Sequence, residues 1–459
     1  MGLKPTSVCH VVALPYPGRG HINPMMNVCK LLVSKKPDIL ITFVVTEEWL
    51  GFIGCNPKPA NVHFAAVPNV IPSELHRAKN FPAFLEAVFT KLEAPVEQLL
   101  DRLELPVAAI IADTYMLWAV RVGKRRNIPV ATLWTMSASV FSVLHHFEML
   151  QQKGHFPVDL SERGDEEVDY IPGVAKTRLA DLPTIFFGNG RQLLGAVREC
   201  IAWVSKADYF LSTSFYELES LALDAIQSQL SAPAYCVGPA IPFLDGDGAG
   251  DAAYLRWLDA QPGGSVLYVS LGSFLSASEA QMEEMVAGVQ DSGVRFLRVA
   301  RGETSPMESA REEGMGLVVP WCEQLKVLCH PSVGGFWTHC GWNSTLEAIY
   351  AGVPMLTCPL FMDQVPNSKQ IAEDWKIGLR VNKEAGGGGA ENLVTRQEIA
   401  RLVRKLMDVE SGEGREMRKR ARELREACRR ATARGGSSDR NLDAFIGDIS
   451  RGPSEIHFE

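Results

Sequence analysis

Trp321–Gln364 reads WCEQLKVLCHPSVGGFWTHCGWNSTLEAIYAGVPMLTCPLFMDQ. Valine, glycine and aromatic residues run as a strand into Thr338-His339-Cys340-Gly341-Trp342-Asn343-Ser344. A helical period follows, with Leu346, Ile349 and Tyr350 on one face and Gly352 closing it. A strand passing directly into a helix leaves backbone N–H groups without partners at the turn, beside the positive end of the helix dipole. That makes an anion site suited to phosphate. His339, Asn343 and Ser344 add side-chain donors there, and Glu347, about one turn on, is an acceptor for sugar hydroxyls. The next apolar run, Met355–Leu360, leaves Asp363-Gln364 at its end. A phosphate nest, a carboxylate, an aromatic in front and a polar pair behind together suit a nucleoside diphosphate sugar.

The same grammar of strand, turn and helix fills the rest of the chain. Upstream, Val8–Leu14, Ile39–Val45, Val62–Val67, Val107–Ala112 and Ile128–Leu133 read as strands, and Phe81–Leu103 as a helical stretch broken near Pro95. Asn23 stands as N-cap and Pro24 as first residue of a helix, which leaves His21 on the preceding loop. Near-continuous apolar strands alternating with helices predict an α/β protein with parallel sheets covered on both faces. Pro239–Gly250, dense in Pro, Gly and Asp, reads as a linker. After it the alternation restarts with Val266–Ser270, the Ser278–Val289 helix, Val294–Ala300 and Leu317–Pro320. Gly386–Gly389 reads as a surface loop before a Thr395–Met407 helix with a Thr395/Glu398 capping box. The expected organisation is two doubly wound domains, 1–240 and 251–440, joined by 241–250 and facing across a cleft. Ligands of such sheets bind at the carboxyl ends of strands. His21 and Asp113, 92 positions apart, both lie at such ends.

The chain has 459 residues, a formal net charge of −8, 46% apolar and 22% charged residues, an ordinary globular composition that gives no general reason to expect a nucleic-acid partner. Segment 396–434 carries 13 Lys/Arg against 7 Asp/Glu, interspersed at the spacing of a solvated helical face. Met1–Ser7 lacks a signal-peptide layout, and no apolar run is long enough to span a membrane. Ten scattered cysteines without a CxxC pair predict reduced thiols, a cytoplasmic location and no zinc site. A monomer is expected.

The Trp321–Gln364 stretch resembles, along its whole length, the signature motif of the plant family 1 UDP-sugar glycosyltransferases. Trp321, Gln324, His339–Ser344, Glu347, Gly352-Val353-Pro354 and Asp363-Gln364 match it; Cys322-Glu323 stands where Ala-Pro is frequent, and Cys358 where an aromatic is. The resemblance implies the GT-B fold of two Rossmann-like domains, with the last helices (441–459 here) returning to the N-terminal domain. It also implies transfer of a sugar, most often glucose where the closing residue is Gln, from UDP-sugar to a small acceptor, without cofactor or metal. In that pattern Trp321 stacks on uracil with Cys322 beside it, Gln324 and Glu347 meet the ribose, and His339, Gly341, Trp342, Asn343 and Ser344 hold the phosphates. Asp363 and Gln364 meet the sugar, Ser273 adds a phosphate contact, and Thr135 one to the sugar 6-hydroxyl.

The transfer also needs a base for the incoming hydroxyl. Histidine ionises near neutrality, and a carboxylate on its far nitrogen fixes the tautomer. His21 and Asp113 fit that pair, and the family carries its catalytic His and Asp in matching contexts. Phe84, Phe141, Phe186 and Phe187 serve a flat, apolar acceptor or the core equally well. Two other readings compete. A nicotinamide oxidoreductase would use Gly18-Arg19-Gly20, but Asn23 stands where its third glycine belongs. A catalytically idle binding protein would not need His21 and Asp113 intact.

Overall fold

The computed structural model describes residues 8–241, 252–272, 278–300, 315–381 and 393–451. Ser273, the Gly386–Gly389 stretch and residues 242–250 of the expected linker lie outside them. The chain forms two compact units, Met1–Ile241 with Arg430–Glu459, and Pro242–Arg429. The return to the first unit therefore comes at Arg430, earlier than the 441 read from the sequence.

The first unit holds β1 (Cys9–Leu14), β2 (Ile39–Thr46), β3 (Val62–Val67), β4 (Ala109–Asp113), β5 (Val130–Trp134), the two-residue strands β6 (Glu167–Val168) and β7 (Thr177–Arg178), β8 (Tyr209–Ser212) and β9 (Ala234–Cys236). Seven of them form one parallel sheet in the order β3-β2-β1-β4-β5-β8-β9, while β6 and β7 pair as a small antiparallel ribbon. Burial along the whole of β1, β4 and β5 is what a sheet covered on both faces requires. The helix Ser437–Arg451 presents Leu442, Phe445, Ile446 and Ile449, spaced three and four apart, to the core beside Val28 and Leu32. Lys35 ties the Arg19–Lys35 helix to it through Asp439 at 2.8 Å.

The second unit repeats the plan with β10 (Val266–Ser270), β11 (Arg295–Val299), β12 (Gly316–Val319), β13 (Val333–Thr338), β14 (Met355–Thr357) and β15 (Gly378–Arg380), all parallel in the order β12-β11-β10-β13-β14-β15. In each sheet the chain builds outward from a central strand, then returns to its other side. Strand order thus reverses between β1 and β4, and again between β10 and β13. Those two switch points are where ligand crevices open in doubly wound sheets.

Two local expectations change. His21 is helical, because the first helix starts at Arg19 from an extended Gly18, and His21 and Ile22 both donate to the Gly18 carbonyl at 2.9 Å. Asn23 therefore caps nothing, and Pro24 sits inside the helix, past its first turn. The 81–103 stretch breaks at Leu92, giving helices Phe81–Lys91 and Glu93–Leu100, with Pro95 within the first turn of the second.

Candidate active site

Leu14 and Ala112 are register partners on adjacent strands, so the segments leaving β1 and β4 emerge side by side. One delivers His21 in the first helical turn, and the other ends on Asp113. His21 Nδ1 lies 2.8 Å from Asp113 Oδ2, the carboxylate being 1% exposed and the imidazole 21%. The other carboxylate oxygen accepts from the Tyr115 N–H at 3.0 Å. A carboxylate can only accept, so the shared proton sits on Nδ1 and the Nε2 lone pair is left available. Tyr16 and Tyr115 flank the imidazole with ring centroids 4.8 and 5.8 Å away.

Thr135 directly follows β5, which pairs with β4, and this brings its hydroxyl to 3.0 Å from His21 Nδ1. The residue expected at the sugar is thus a second acceptor for the same proton. Its loop is fixed by a residue the sequence reading missed. Buried Glu219 accepts from the N–H groups of Ala138 and Ser139 and from the hydroxyls of Ser139 and Ser214, all within 3.0 Å. Its backbone is non-helical (φ −134°, ψ 38°) within the Tyr216–Gln229 helix, and no sequence pattern announces that kink.

The phenylalanines expected to line an acceptor pocket are mostly core. Phe84, Phe141 and Phe186 are each 1% exposed, Phe141 against Trp134 and Phe210, and Phe186 stacked on Phe147; only Phe187 is partly exposed. All three lie on helical segments, Phe81–Lys91, Ala138–His145 and Thr184–Phe186, and are buried there as large aromatics on a core-facing side are.

In the second unit β13 ends at Thr338 and the chain turns through Cys340 in the left-handed region, φ 66°, uncommon for a residue other than glycine. Asn367, fully buried, holds that turn by donating to the Cys340 carbonyl at 3.0 Å and to Asp363 Oδ2 at 2.8 Å. The Trp342–Ala351 helix then starts from Gly341 without a side-chain cap, as an anion-binding terminus should, and stops at left-handed Gly352. His339 packs between Gly272 and Gly341, where a Cβ on either would lie within 2.6 Å of its ring. Burial pulls its pKa down to about 4, so this imidazole is neutral, able to donate a hydrogen bond but bringing no charge.

Gln324 is saturated. Its Nε2 donates to Ser344 Oγ at 2.9 Å and Glu347 Oε2 at 2.8 Å, while its Oε1 accepts from the Tyr268 hydroxyl at 3.3 Å. Burial raises the Glu347 carboxyl to about 7, and the Gln324 bond offsets part of that rise. Trp321 is 60% exposed, an open platform unusual for tryptophan, whereas the Trp342 ring is buried and its indole N–H finds no partner among the described residues. Cys322 is buried beside Tyr268. Gln364 Oε1 accepts from the N–H groups of Leu360 and Phe361 at 2.8 and 3.0 Å, so the side-chain amide has its NH₂ to offer, not the two-way pairing read from the sequence. Asp363 spends one oxygen on Asn367.

Among the described residues no cluster of three His, Cys, Asp or Glu could hold a metal ion, all ten cysteines are free, and no helix is long and apolar enough to cross a membrane.

Residues 252–392 match the family described as UDP-glucoronosyl and UDP-glucosyl transferase. The chain is 53% identical over 450 residues to UDP-glycosyltransferase 87A2 of Arabidopsis thaliana, covering 97% of this chain and 98% of the relative. Among solved structures it resembles a Phytolacca americana transferase complexed with UDP-2fluoro-glucose and pterostilbene (TM-score 0.80, 29% identity, 96% of this chain and 100% of that one). It also resembles a Medicago truncatula protein complexed with UDP-glucose (TM-score 0.81, 26% identity, 97% and 99%).

Proposed function

Since the chain belongs to the plant family 1 UDP-glycosyltransferases, with two Rossmann-like units of the GT-B class, we propose that it transfers glucose from UDP-glucose to a hydroxyl of a small, largely apolar acceptor. His21 is the general base, and the anomeric centre inverts. The observation carrying this is the 2.8 Å bond from His21 Nδ1 to Asp113, which leaves Nε2 as the proton acceptor. The acceptor O–H loses its proton to Nε2 as its oxygen attacks C1, and the C1–O bond to UDP breaks. A single base without a paired nucleophile supports one displacement, hence a β-glucoside from an α-linked donor. A flat, apolar acceptor is in keeping with the pterostilbene of the Phytolacca protein. Trp321 is the platform for uracil, Glu347 accepts from ribose hydroxyls, and the uncapped helix start with Gly341, Asn343, Ser344 and His339 receives the diphosphate. The test is mass and NMR analysis of products from UDP-glucose and a mixed panel of phenolic and alicyclic alcohols. No glycoside, or an α-glycoside, would overturn the reading.

Leaving-group charge is met here by oriented dipoles and neutral donors, so no divalent metal is required. Excess chelator should leave the rate unchanged; a loss restored by magnesium or manganese contradicts this.

Donor affinity should depend on pH. Ribose hydroxyls donate to the Glu347 carboxylate, so the complex favours the ionised form of a group titrating at about 7 in the free protein. UDP affinity should therefore fall as pH drops, by up to about tenfold from pH 8 to pH 6. Because the terminal phosphate of UDP also ionises at about pH 6, isothermal titration of UDP across that range is compared between wild type and Glu347→Gln, and identical profiles sink the assignment.

Gln364 and Asp363 should select the sugar. With its Oε1 committed to two backbone N–H groups, Gln364 can only donate, and a hydroxyl of the wrong orientation leaves that N–H unpaired. UDP-glucose should outcompete UDP-galactose by about 10- to 100-fold on a common acceptor. Competition assays on wild type and Gln364→His check this, and equal use of both donors by wild type would remove these residues from the role.

A further inference from the structure

Tyr268 stands outside the signature stretch, on the middle strand β10, yet its hydroxyl touches that stretch twice. It lies 3.4 Å from Cys322 Sγ and 3.3 Å from Gln324 Oε1. The ring is 1% exposed and stacks on Phe336 of β13 at 5.0 Å, so the hydroxyl has little freedom to leave. Gln324 in turn spends both amide protons, one on Ser344 and one on Glu347.

The direction of this chain is fixed by chemistry. An ionised Glu347 can only accept, so the NH₂ of Gln324 must face it, and the amide oxygen must then face Tyr268. The tyrosine O–H consequently donates to Gln324. The thiol of Cys322 is held in its protonated form, pushed up to about 11 by burial, and can donate to the tyrosine oxygen in the same sense. The resulting order is Cys322 S–H to Tyr268 O–H to Gln324 C=O, and from the Gln324 NH₂ to Ser344 and Glu347. Turning the amide over would set its oxygen against the Glu347 carboxylate and its NH₂ against the Tyr268 O–H.

We infer that Tyr268 is a positioning residue for the nucleotide: its hydroxyl locks the Gln324 amide in the one orientation that presents Glu347 as an acceptor to ribose and leaves the Ser344 hydroxyl free to donate to phosphate. This rests on the reading of the second unit as a UDP site, and it adds a residue that acts through Gln324 rather than on the ligand. It also gives Cys322 a task at a position where alanine is frequent.

Around Glu347 the titratable groups are Tyr268 on β10, Cys322 after β12 and Cys329 at the end of the Gln324–Leu328 helix, and burial raises all three. None of them changes charge between pH 5 and 8, and the terminal phosphate of UDP, which ionises at about pH 6, titrates alike for every variant, so the part of a UDP-binding profile that Glu347→Gln removes reports Glu347. Tyr268→Phe keeps the ring and its stacking on Phe336 while deleting the O–H. Titration calorimetry with UDP on the full chain should show about 3- to 10-fold weaker binding at pH 7.5. The midpoint of the pH profile should also move upward, because a mobile amide no longer supports the carboxylate. Since Tyr268 acts through Gln324, Tyr268→Phe combined with Gln324→Leu should bind UDP no more weakly than Gln324→Leu alone. Glu347→Gln separates the two levels of the argument. If Glu347→Gln weakens UDP while Tyr268→Phe matches wild type in affinity and midpoint, the role of Tyr268 is overturned and the UDP site stands. Additive losses in the double variant equally overturn it, leaving Tyr268 a packing residue. If Glu347→Gln binds UDP as wild type does, the nucleotide site itself is misassigned and the inference falls with it.

Discussion

His21→Ala should lower the transfer rate by about 10²- to 10⁴-fold, while UDP affinity stays within a few-fold of wild type. The split follows from where the residues sit. His21 belongs to the first unit, on the helix leaving β1, whereas Trp321, Gln324, Ser344 and Glu347 all belong to the second. Removing the imidazole takes the proton acceptor from the incoming hydroxyl and nothing from the nucleotide. The fold should tolerate the change, because the side chain is partly exposed and its backbone N–H bonds to Gly18 whatever the side chain is. Alanine is also a good helix former in that first turn. The measurement is kcat with saturating donor, beside UDP titration and a thermal melt. Turnover above about a tenth of wild type would remove His21 from the role of base. A parallel loss of UDP binding would instead mean that the substitution had disturbed more than the acceptor side.

Much of this was legible before any coordinates. The strand-to-helix passage at 338–344 carries its meaning in local sequence: a β-rich run, small polar residues, then helical period. The structure realises it as β13 and an uncapped helix. The convergence of His21 and Asp113 was legible too, because parallel strands place their carboxyl ends on one edge, and Asp113 closes one apolar run while His21 follows another after the Pro15–Gly20 turn. What stayed hidden was set by contacts between distant segments. The start of the first helix was misplaced because Asn23-Pro24 is a strong local signal, yet extended Gly18 supplies the earlier start. Three of the four phenylalanines of the expected pocket are buried, since composition cannot say whether an aromatic on a helical segment faces the core or a cleft. Glu219, Asn367 and Tyr268 were missed for one shared reason. Each acts through hydrogen bonds to residues 27 to 81 positions away, and nothing in a linear pattern marks a polar residue whose partners lie so far off.

Asp113→Asn should slow turnover by about 10²- to 10⁴-fold while leaving the protein folded, and the reason is an orientation conflict that the structure makes explicit. Asp113 uses its two oxygens differently: Oδ2 takes the proton of His21 Nδ1 and Oδ1 takes the N–H of Tyr115 at 3.0 Å. Asparagine has one acceptor for these two donors. If its oxygen keeps the Tyr115 N–H, the NH₂ faces His21, Nδ1 must become the acceptor, and the ring proton moves to Nε2, where the base is needed. If its oxygen keeps His21, the NH₂ meets the Tyr115 N–H in a site where the side chain is 1% exposed, costing about 1–3 kcal/mol. The first orientation disables the base and the second strains the turn, and neither supplies the negative charge that stabilises the imidazolium once it forms. Thr135 offers a partial escape. Its hydroxyl, 3.0 Å from Nδ1, can still accept that proton and hold a fraction of the imidazole in the working tautomer. Residual activity of Asp113→Asn should therefore fall further in Asp113→Asn/Thr135→Val, whereas Thr135→Val alone, with the carboxylate present, should cost much less. Rates for the three variants at saturating donor and acceptor, with melting temperatures alongside, decide the matter. Wild-type turnover in Asp113→Asn would uncouple the pair. A double variant no slower than Asp113→Asn alone would show that Thr135 plays no part in holding the tautomer.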